Sequence, residues 1–199
     1  MLINRQEFFS LSEQKLDNYY LSSGRVLWLT GLSGAGKTTL AKLLQQKLSA
    51  HNVKALIFDG DQVREAINDP YWQYDMESRL KGSYRYSKLA ALAANQGHTV
   101  IVPTISMFHE VQKWNKDNLP GYFEVHLKTS KKIREHRDSK VLYRDYQSGN
   151  NSNMVGLDIQ PEEPISPDFV VENNGTIECL SKVCEQLLAA FFNKPLSKG

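Results

Sequence analysis

The chain has 199 residues, 41% of them hydrophobic and 23% charged, with a net charge of +2. These are the proportions of one globular domain able to bury a core, and so small a charge argues against a nucleic acid or a membrane surface as partner. No apolar run reaches the ~20 residues that span a bilayer, and the first residues, Met1-Leu2-Ile3-Asn4-Arg5-Gln6-Glu7, lack the apolar centre of a secretory signal, so a cytoplasmic protein is expected.

Residues 1–23 read as an N-terminal extension, in which Phe8, Phe9, Leu11, Leu16, Tyr19 and Tyr20 suit a short docking helix ended by Ser22-Ser23-Gly24. The main domain is expected over 24–199. Its first element, Arg25 to Thr30, is a continuous apolar run of buried-strand length, and residues 40–48 carry the spacing of an amphipathic helix. Between them stands Gly31-Leu32-Ser33-Gly34-Ala35-Gly36-Lys37-Thr38, followed by Thr39. Glycines at this spacing let the backbone curl until successive N–H groups converge on one anion, and the helix that follows adds its positive end. The pattern predicts a phosphate-binding loop in which Gly31, Ser33, Gly34, Ala35, Gly36 and Thr39 wrap the phosphates of a nucleotide. Lys37 would reach the β- and γ-phosphates, and Thr38 would hold magnesium.

Residues 53–58 predict a second strand ending in Asp59-Gly60-Asp61, which places two carboxylates at the edge where parallel sheets bind ligands. A helix is expected over 76–95 with Gly97 as its stop, then a strand over Thr99 to Pro103. Further strands are expected at 122–127 and 168–171, a short helix at Lys131 to His136, and a closing helix at 176–192. This alternation predicts an α/β fold of three layers around a mostly parallel sheet. Cys179 and Cys184, five apart in the last helix, read as packing residues rather than as a disulfide or a metal site.

Between 137 and 167 the periodicity fails, in a stretch with Gly149, Asn150, Asn151, Asn153, Gly156 and several prolines. A segment this long in a compact domain is usually functional. It is read as a mobile lid that closes over the phosphates and keeps water from hydrolysing them.

A phosphate loop by itself does not separate motor ATPases, GTPases and small-molecule kinases. The chain has no Asn-Lys-x-Asp segment of the kind that reads guanine, and its short length, lid and acidic strand end fit a small kinase. Trp28 to Thr39, Asp59-Gly60-Asp61-Gln62-Val63-Arg64, Ile105-Ser106, Asp138-Ser139-Lys140-Val141-Leu142-Tyr143 and Gly156-Leu157-Asp158 resemble, in order and spacing, the motifs of adenylylsulfate kinases. The resemblance spans about residues 24 to 193. It implies a P-loop kinase that uses ATP and magnesium to phosphorylate the ribose 3′-hydroxyl of adenosine 5′-phosphosulfate, and it makes a homodimer plausible.

The acceptor side departs from that family. Gln62 stands where Asn is usual, Gly82 where a second Asn follows Arg79, and Met107-Phe108-His109 where Pro, an aromatic and Arg follow the Ile-Ser pair. The two aromatics that hold the acceptor's base fall on Tyr74 and Met154. Similar departures mark relatives from bacterial capsule gene sets that phosphorylate cytidine diphosphoramidate. Both acceptors stay open, and the common reaction is 3′-phosphorylation of a nucleoside 5′-diphosphate analogue.

Asp61 is assigned to orient the acceptor hydroxyl or take its proton, and Asp59 to support magnesium. Either could instead cap the helix that starts near Gln62. The resemblance makes Arg64 and Arg79 a clamp for the acceptor's diphosphate-like group, since guanidinium forks match phosphate oxygens, although a solvated helix face is their ordinary place. Lys140 would close on the phosphates with the lid. Ile105, Ser106 and Phe108 sit at the ligand edge of the sheet, where Ser106 could also be a simple turn residue and Phe108 a core residue. Of the histidines, His109 alone lies near the expected acceptor. A different class of function, a nucleotide-binding sensor without turnover, is compatible with the altered acceptor motifs but gives no reason to keep both carboxylates.

Overall fold

The computed structural model describes residues 24–137, 141–150 and 152–195. The N-terminal extension and Lys140, with Asp138 and Ser139, lie outside the described residues.

Among the described residues five strands, all parallel, form one sheet in the order β2-β3-β1-β4-β5. They are β1 (Arg25–Thr30), β2 (Ala55–Ile57), β3 (Thr99–Pro103), β4 (Phe123–Lys128) and β5 (Phe169–Glu172). The helices are α1 (Lys37–Ala50), α2 (Gly60–Ile67), α3 (Met76–Ala94), α4 (His109–Asn118), α5 (Lys131–His136), α6 (Leu142–Gln147) and α7 (Ile177–Asn193).

Alternation along β1 sorts its side chains between two cores. Leu27 and Leu29 join Leu40 and Leu44 of α1 and Leu187 and Phe191 of α7 on one face of the sheet. Val26 and Trp28 join Tyr86 and Ala90 of α3 and Val111 of α4 on the other. Burial on both faces is why β1 and β3 read as unbroken apolar runs. From β1 the chain builds outward to β2 and β3 on one side and then to β4 and β5 on the other. The sheet order therefore reverses beside β1, and the carboxyl end of β1 is the crevice where such sheets bind ligands.

Several expectations are corrected. The second strand shrinks to Ala55–Ile57 at the sheet edge, and α2 starts at Gly60, so that Asp59, not a later residue, is its N-cap. The segment from 137 to 167 is not without structure. It holds α6, and its later part is fastened to α4: the Glu162 carboxylate accepts the His109 backbone N–H, and Gln112 donates to the Glu162 carbonyl at 3.1 Å. Helix α4 itself was not anticipated. Cys184 is buried and its thiol is pushed up to about 11 by that burial, but Cys179 is exposed and packs no core.

Candidate functional site

Beyond the carboxyl end of β1 the chain turns sharply through glycines. Gly34 and Gly36 adopt φ of 77° and 95°, a left-handed geometry that side chains resist. Gly36 is the N-cap of α1, which has no side-chain cap and no acidic residue in its first turn. A helix start with no side-chain cap and no acid of its own is the arrangement that binds phosphate. The loop is braced from behind: Asn173 Nδ2 donates to the Ala35 carbonyl at 2.8 Å, and Thr129 Oγ1 donates to the same oxygen at 3.3 Å. Lys37 Nζ folds back to donate to the Leu32 carbonyl at 2.9 Å.

A cavity of about 940 Å³ opens in front of this loop. Ser33, Gly34, Gly36, Lys37, Thr38 and Thr39 border it on the phosphate-loop side, and Asp59, Asp61, Arg64, Tyr74, Arg79, Ile105, Ser106, Phe108 and Met154 border it elsewhere. Sequence positions 120 apart are thereby brought to one space. Gly31 and Ala35 are not at the cavity. Ala35 is a fully buried core residue, and a Cβ on Gly31 would meet the Leu127 carbonyl at 2.5 Å, so both shape the loop from within. Lys140 lies outside the described residues.

Asp59 serves two partners. Its Oδ1 accepts from the Asp61 amide at 3.1 Å, capping α2, while its Oδ2 accepts from Thr38 Oγ1 at 2.7 Å. The capping alternative therefore holds for Asp59 without removing it from the site. The pair Thr38 and Asp59 offers hard oxygen donors suited to a small divalent cation. Among the described residues no group of three His, Cys, Asp or Glu is placed to hold a metal, so phosphate oxygens and water would have to complete such a site.

The two arginines are set by aromatic neighbours. Arg64 Cζ lies 4.4 Å from the ring centroids of both Trp72 and Tyr74, and its Nη1 donates to the Trp72 and Gln73 carbonyls. Arg79 Cζ is 5.3 Å from the Tyr74 centroid, with Nε donating to the Tyr74 carbonyl at 2.6 Å and Nη2 to the Asn153 carbonyl at 2.9 Å. Burial first, and then the Arg64 charge, pull the Arg79 guanidinium below its ordinary pKa. Two like charges held together at a cavity wall, at a cost to one of them, make a place for an anion. The Tyr74 ring expected to stack on a base is instead attended by both guanidiniums.

Ser106 is buried with φ of 26°, and its hydroxyl donates to Ser83 Oγ at 2.8 Å and meets Thr104 Oγ1 at 3.1 Å. This hydroxyl belongs to a buried hydroxyl chain, at a residue that also borders the cavity. Phe108 is half-buried, packing on the α3–α4 core and also bordering the cavity, so both of its readings hold. His109 does not border the cavity; its ring meets the Glu163 carbonyl at 2.9 Å. Met154 is buried with its edge on the cavity.

Sequence reasoning missed Arg137, Tyr86 and Asp145, which also border the cavity. It missed Arg134 as well, which donates to the Tyr143 hydroxyl; that hydroxyl in turn donates to the Ser33 carbonyl at 3.1 Å, tying α6 to the phosphate loop. Arg137 directly precedes the Asp-Ser-Lys segment, so that motif could have flagged it; the others follow from tertiary contacts.

The adenylylsulphate kinase family matches residues 23–172. A cytidine diphosphoramidate kinase of Campylobacter jejuni subsp. jejuni serotype O:2 is 35% identical over 149 residues, which cover 75% of this chain and 86% of that protein. The adenylyl-sulfate kinase of Yersinia pestis is 32% identical over 192 residues, covering 96% of this chain and 88% of that one. Among solved structures, the Mycobacterium tuberculosis APS kinase CysC in complex with AMPPNP and APS aligns with a TM-score of 0.76 at 31% identity, covering 83% of this chain and 98% of its own.

Proposed function

The chain belongs to the adenylylsulphate kinase family, and from that premise we propose that it moves the γ-phosphoryl group of ATP onto the ribose 3′-hydroxyl of a nucleoside 5′-diphosphate analogue. The acceptor is adenosine 5′-phosphosulfate or cytidine diphosphoramidate, the compounds that its relatives' names carry. It is an ATP-dependent phosphotransferase. The observation that carries the reading is one cavity bordered by two anion sites, the phosphate loop with Lys37 and the Arg64–Arg79 pair, with Asp59 and Asp61 on the same wall.

Phosphoryl transfer asks a protein mainly for alignment and for neutralisation of charge that spreads over the moving group. In this reading the α1 amides and Lys37 hold the ATP phosphates, and Thr38 with Asp59 would hold Mg2+. When bound, that ion would supply charge neutralisation to the transferring phosphates. Arg64 and Arg79 draw in the acceptor's diphosphate-like group, and Asp61, in the exposed first turn of α2, orients the hydroxyl or takes its proton. The segment over 137–167, already fastened to α4 and tied to Ser33 through Tyr143, acts as the lid that excludes water. No helix among the described residues is long and apolar enough to cross a membrane.

The test is a coupled assay of ADP release with ATP, Mg2+ and each acceptor in parallel, repeated with a 3′-deoxy acceptor. Release stimulated by one of the two acceptors and lost with its 3′-deoxy form is the expected result. Absence of stimulation by any nucleotide would favour the sensor without turnover.

A further inference from the structure

Glycine is unfavourable in the middle of a helix, yet Gly82 sits at the centre of α3, so its presence needs a cause. That cause is Trp72. A Cβ on Gly82 would stand 2.3 Å from the Trp72 indole nitrogen and 2.7 Å from Cε2 and Cζ2. Those are atoms of a rigid ring system that is itself only 5% exposed, so it has no flexible end to swing aside. A side chain at position 82 would exclude the indole from this seat. The indole nitrogen gains nothing from its seat, for it has no hydrogen-bond partner there. The ring's value lies in what rests on it.

Two cavity residues do. The Arg64 guanidinium lies 4.4 Å from the ring centroid while donating to the carbonyl of the same tryptophan. The Tyr86 ring is 5.4 Å away, and its hydroxyl donates at 3.0 Å to the Gly60 carbonyl, the residue between Asp59 and Asp61. From outside the cavity Arg85 covers the indole at 4.6 Å and is anchored by an ion pair to Asp69 at 2.7 Å. A long arginine left to itself samples many rotamers; laid on a fixed aromatic plane, it loses that freedom before an anion arrives.

We propose that Trp72 and Gly82 form a positioning pair for the acceptor: Gly82 vacates the space, the indole fills it, and the indole fixes Arg64 where it meets the acceptor's 5′ anionic group. The inference rests on the acceptor role proposed for Arg64. It concerns recognition of the acceptor alone, because none of the contacts of Trp72 involves the phosphate loop.

The experiment compares the full-length wild type with Trp72→Leu, Trp72→Phe, Gly82→Ala and the Gly82→Ala, Trp72→Phe double variant. Each is titrated calorimetrically, in the presence of a non-hydrolysable ATP analogue, with adenosine 5′-phosphosulfate and with cytidine diphosphoramidate, and KM is measured separately for ATP and acceptor. Trp72→Leu and Gly82→Ala are expected to weaken acceptor binding about 10-fold while the KM for ATP stays within about twofold. Trp72→Phe keeps a ring under Arg64 and loses little. Its smaller ring also makes room for a methyl group, so the double variant recovers most of what Gly82→Ala loses. Unchanged acceptor affinity in Trp72→Leu overturns the proposal, as does an equal loss for ATP and acceptor. Should Trp72→Leu fail to fold, the recovery in the double variant decides. A wild type that binds neither acceptor overturns the acceptor reading itself, a result distinct from either of these.

Discussion

Thr38 Oγ1 and Asp59 Oδ2 are joined by a 2.7 Å hydrogen bond that links the first turn of α1 to the end of the second strand. The same carboxylate caps α2 through its other oxygen, so one side chain serves both the pair proposed to hold Mg2+ and the start of the helix that carries Asp61. Substitution can separate these roles. Asparagine is as good an N-cap as aspartate, whereas alanine costs about 1 kcal/mol of stability there. Asp59→Asn is therefore expected to melt like the wild type but to need about tenfold more Mg2+ for half-maximal activity, through loss of the carboxylate charge. Asp59→Ala should lose both properties. Thermal denaturation and a Mg2+ titration of activity check the pair, and an Asp59→Asn enzyme with unchanged Mg2+ demand removes Asp59 from the metal site.

Lys37 and Asp61 border one cavity, and in the proposed reaction they serve different partners, ATP and the acceptor. Lys37→Ala removes charge from the ATP phosphates, and a loss of 10² to 10³ in kcat is expected, as for deletion of a preorganised electrostatic group. Asp61→Ala leaves the phosphate loop intact, so binding of an ATP analogue should persist while turnover falls about 10²-fold. Single-turnover rates beside equilibrium nucleotide binding distinguish the two; normal turnover in Asp61→Ala would strip that residue of its role.

How far the sequence alone carried depended on which residues are buried. The bounds of β1 and β3 were read correctly because both faces of these central strands are apolar. Helix α4, His109-Glu-Val-Gln-Lys-Trp-Asn-Lys-Asp-Asn118, was missed because its buried face is built from Val111, Gln112 and Asn115, leaving almost no apolar period to detect. Helix α6 is six residues long and follows Val141 at φ of 59°, a conformation that nothing in a valine announces. The phosphate loop was legible because its chemistry is local in sequence. The seating of Arg64 on Trp72 and the inward turn of the Ser106 hydroxyl were not, since they depend on where α3 places Gly82 and Ser83.

Glu124 on β4 gives the fold a pH dependence away from the site. Its side chain is buried next to Trp28 of β1, and Oε1 has no hydrogen-bond partner. Burial, reinforced by the Asp168 charge, lifts its pKa from 4.5 to about 7. The folded protein thus holds a proton that the unfolded chain releases above 4.5, so stability falls as pH rises between 4.5 and about 7 and levels off beyond. A shift of this size corresponds to on the order of 3 kcal/mol. Glu124→Gln should flatten that slope and raise stability at pH 8 relative to the wild type. Denaturant midpoints at pH 5, 6.5 and 8 measure it, and parallel pH profiles for the two proteins would show that Glu124 is not the group responsible.

Gly156 tests the lid. Its φ of 89° demands glycine, and a Cβ would in addition come within 2.9 Å of Leu32 Cδ1, a side-chain end that would have to shift. The Leu32 carbonyl in turn receives Lys37 Nζ at 2.9 Å, so a shift of Leu32 can reach the residue proposed to hold the ATP phosphates. Gly156→Ala meets two penalties: left-handed backbone, at roughly 1 to 2 kcal/mol, and the contact with Leu32. The Leu32 methyls can turn aside, so the backbone strain is the larger penalty, and it is relieved if the segment lifts away from the loop. ADP release without acceptor should then rise while acceptor-dependent transfer falls, a divergence that simple destabilisation does not produce. Adding Leu32→Ala removes the contact but leaves the backbone strain, so the double variant should regain only part of the transfer rate. If Gly156→Ala lowers both rates in proportion, the segment does not exclude water from the phosphates, and its contact with Leu32 is a matter of packing alone.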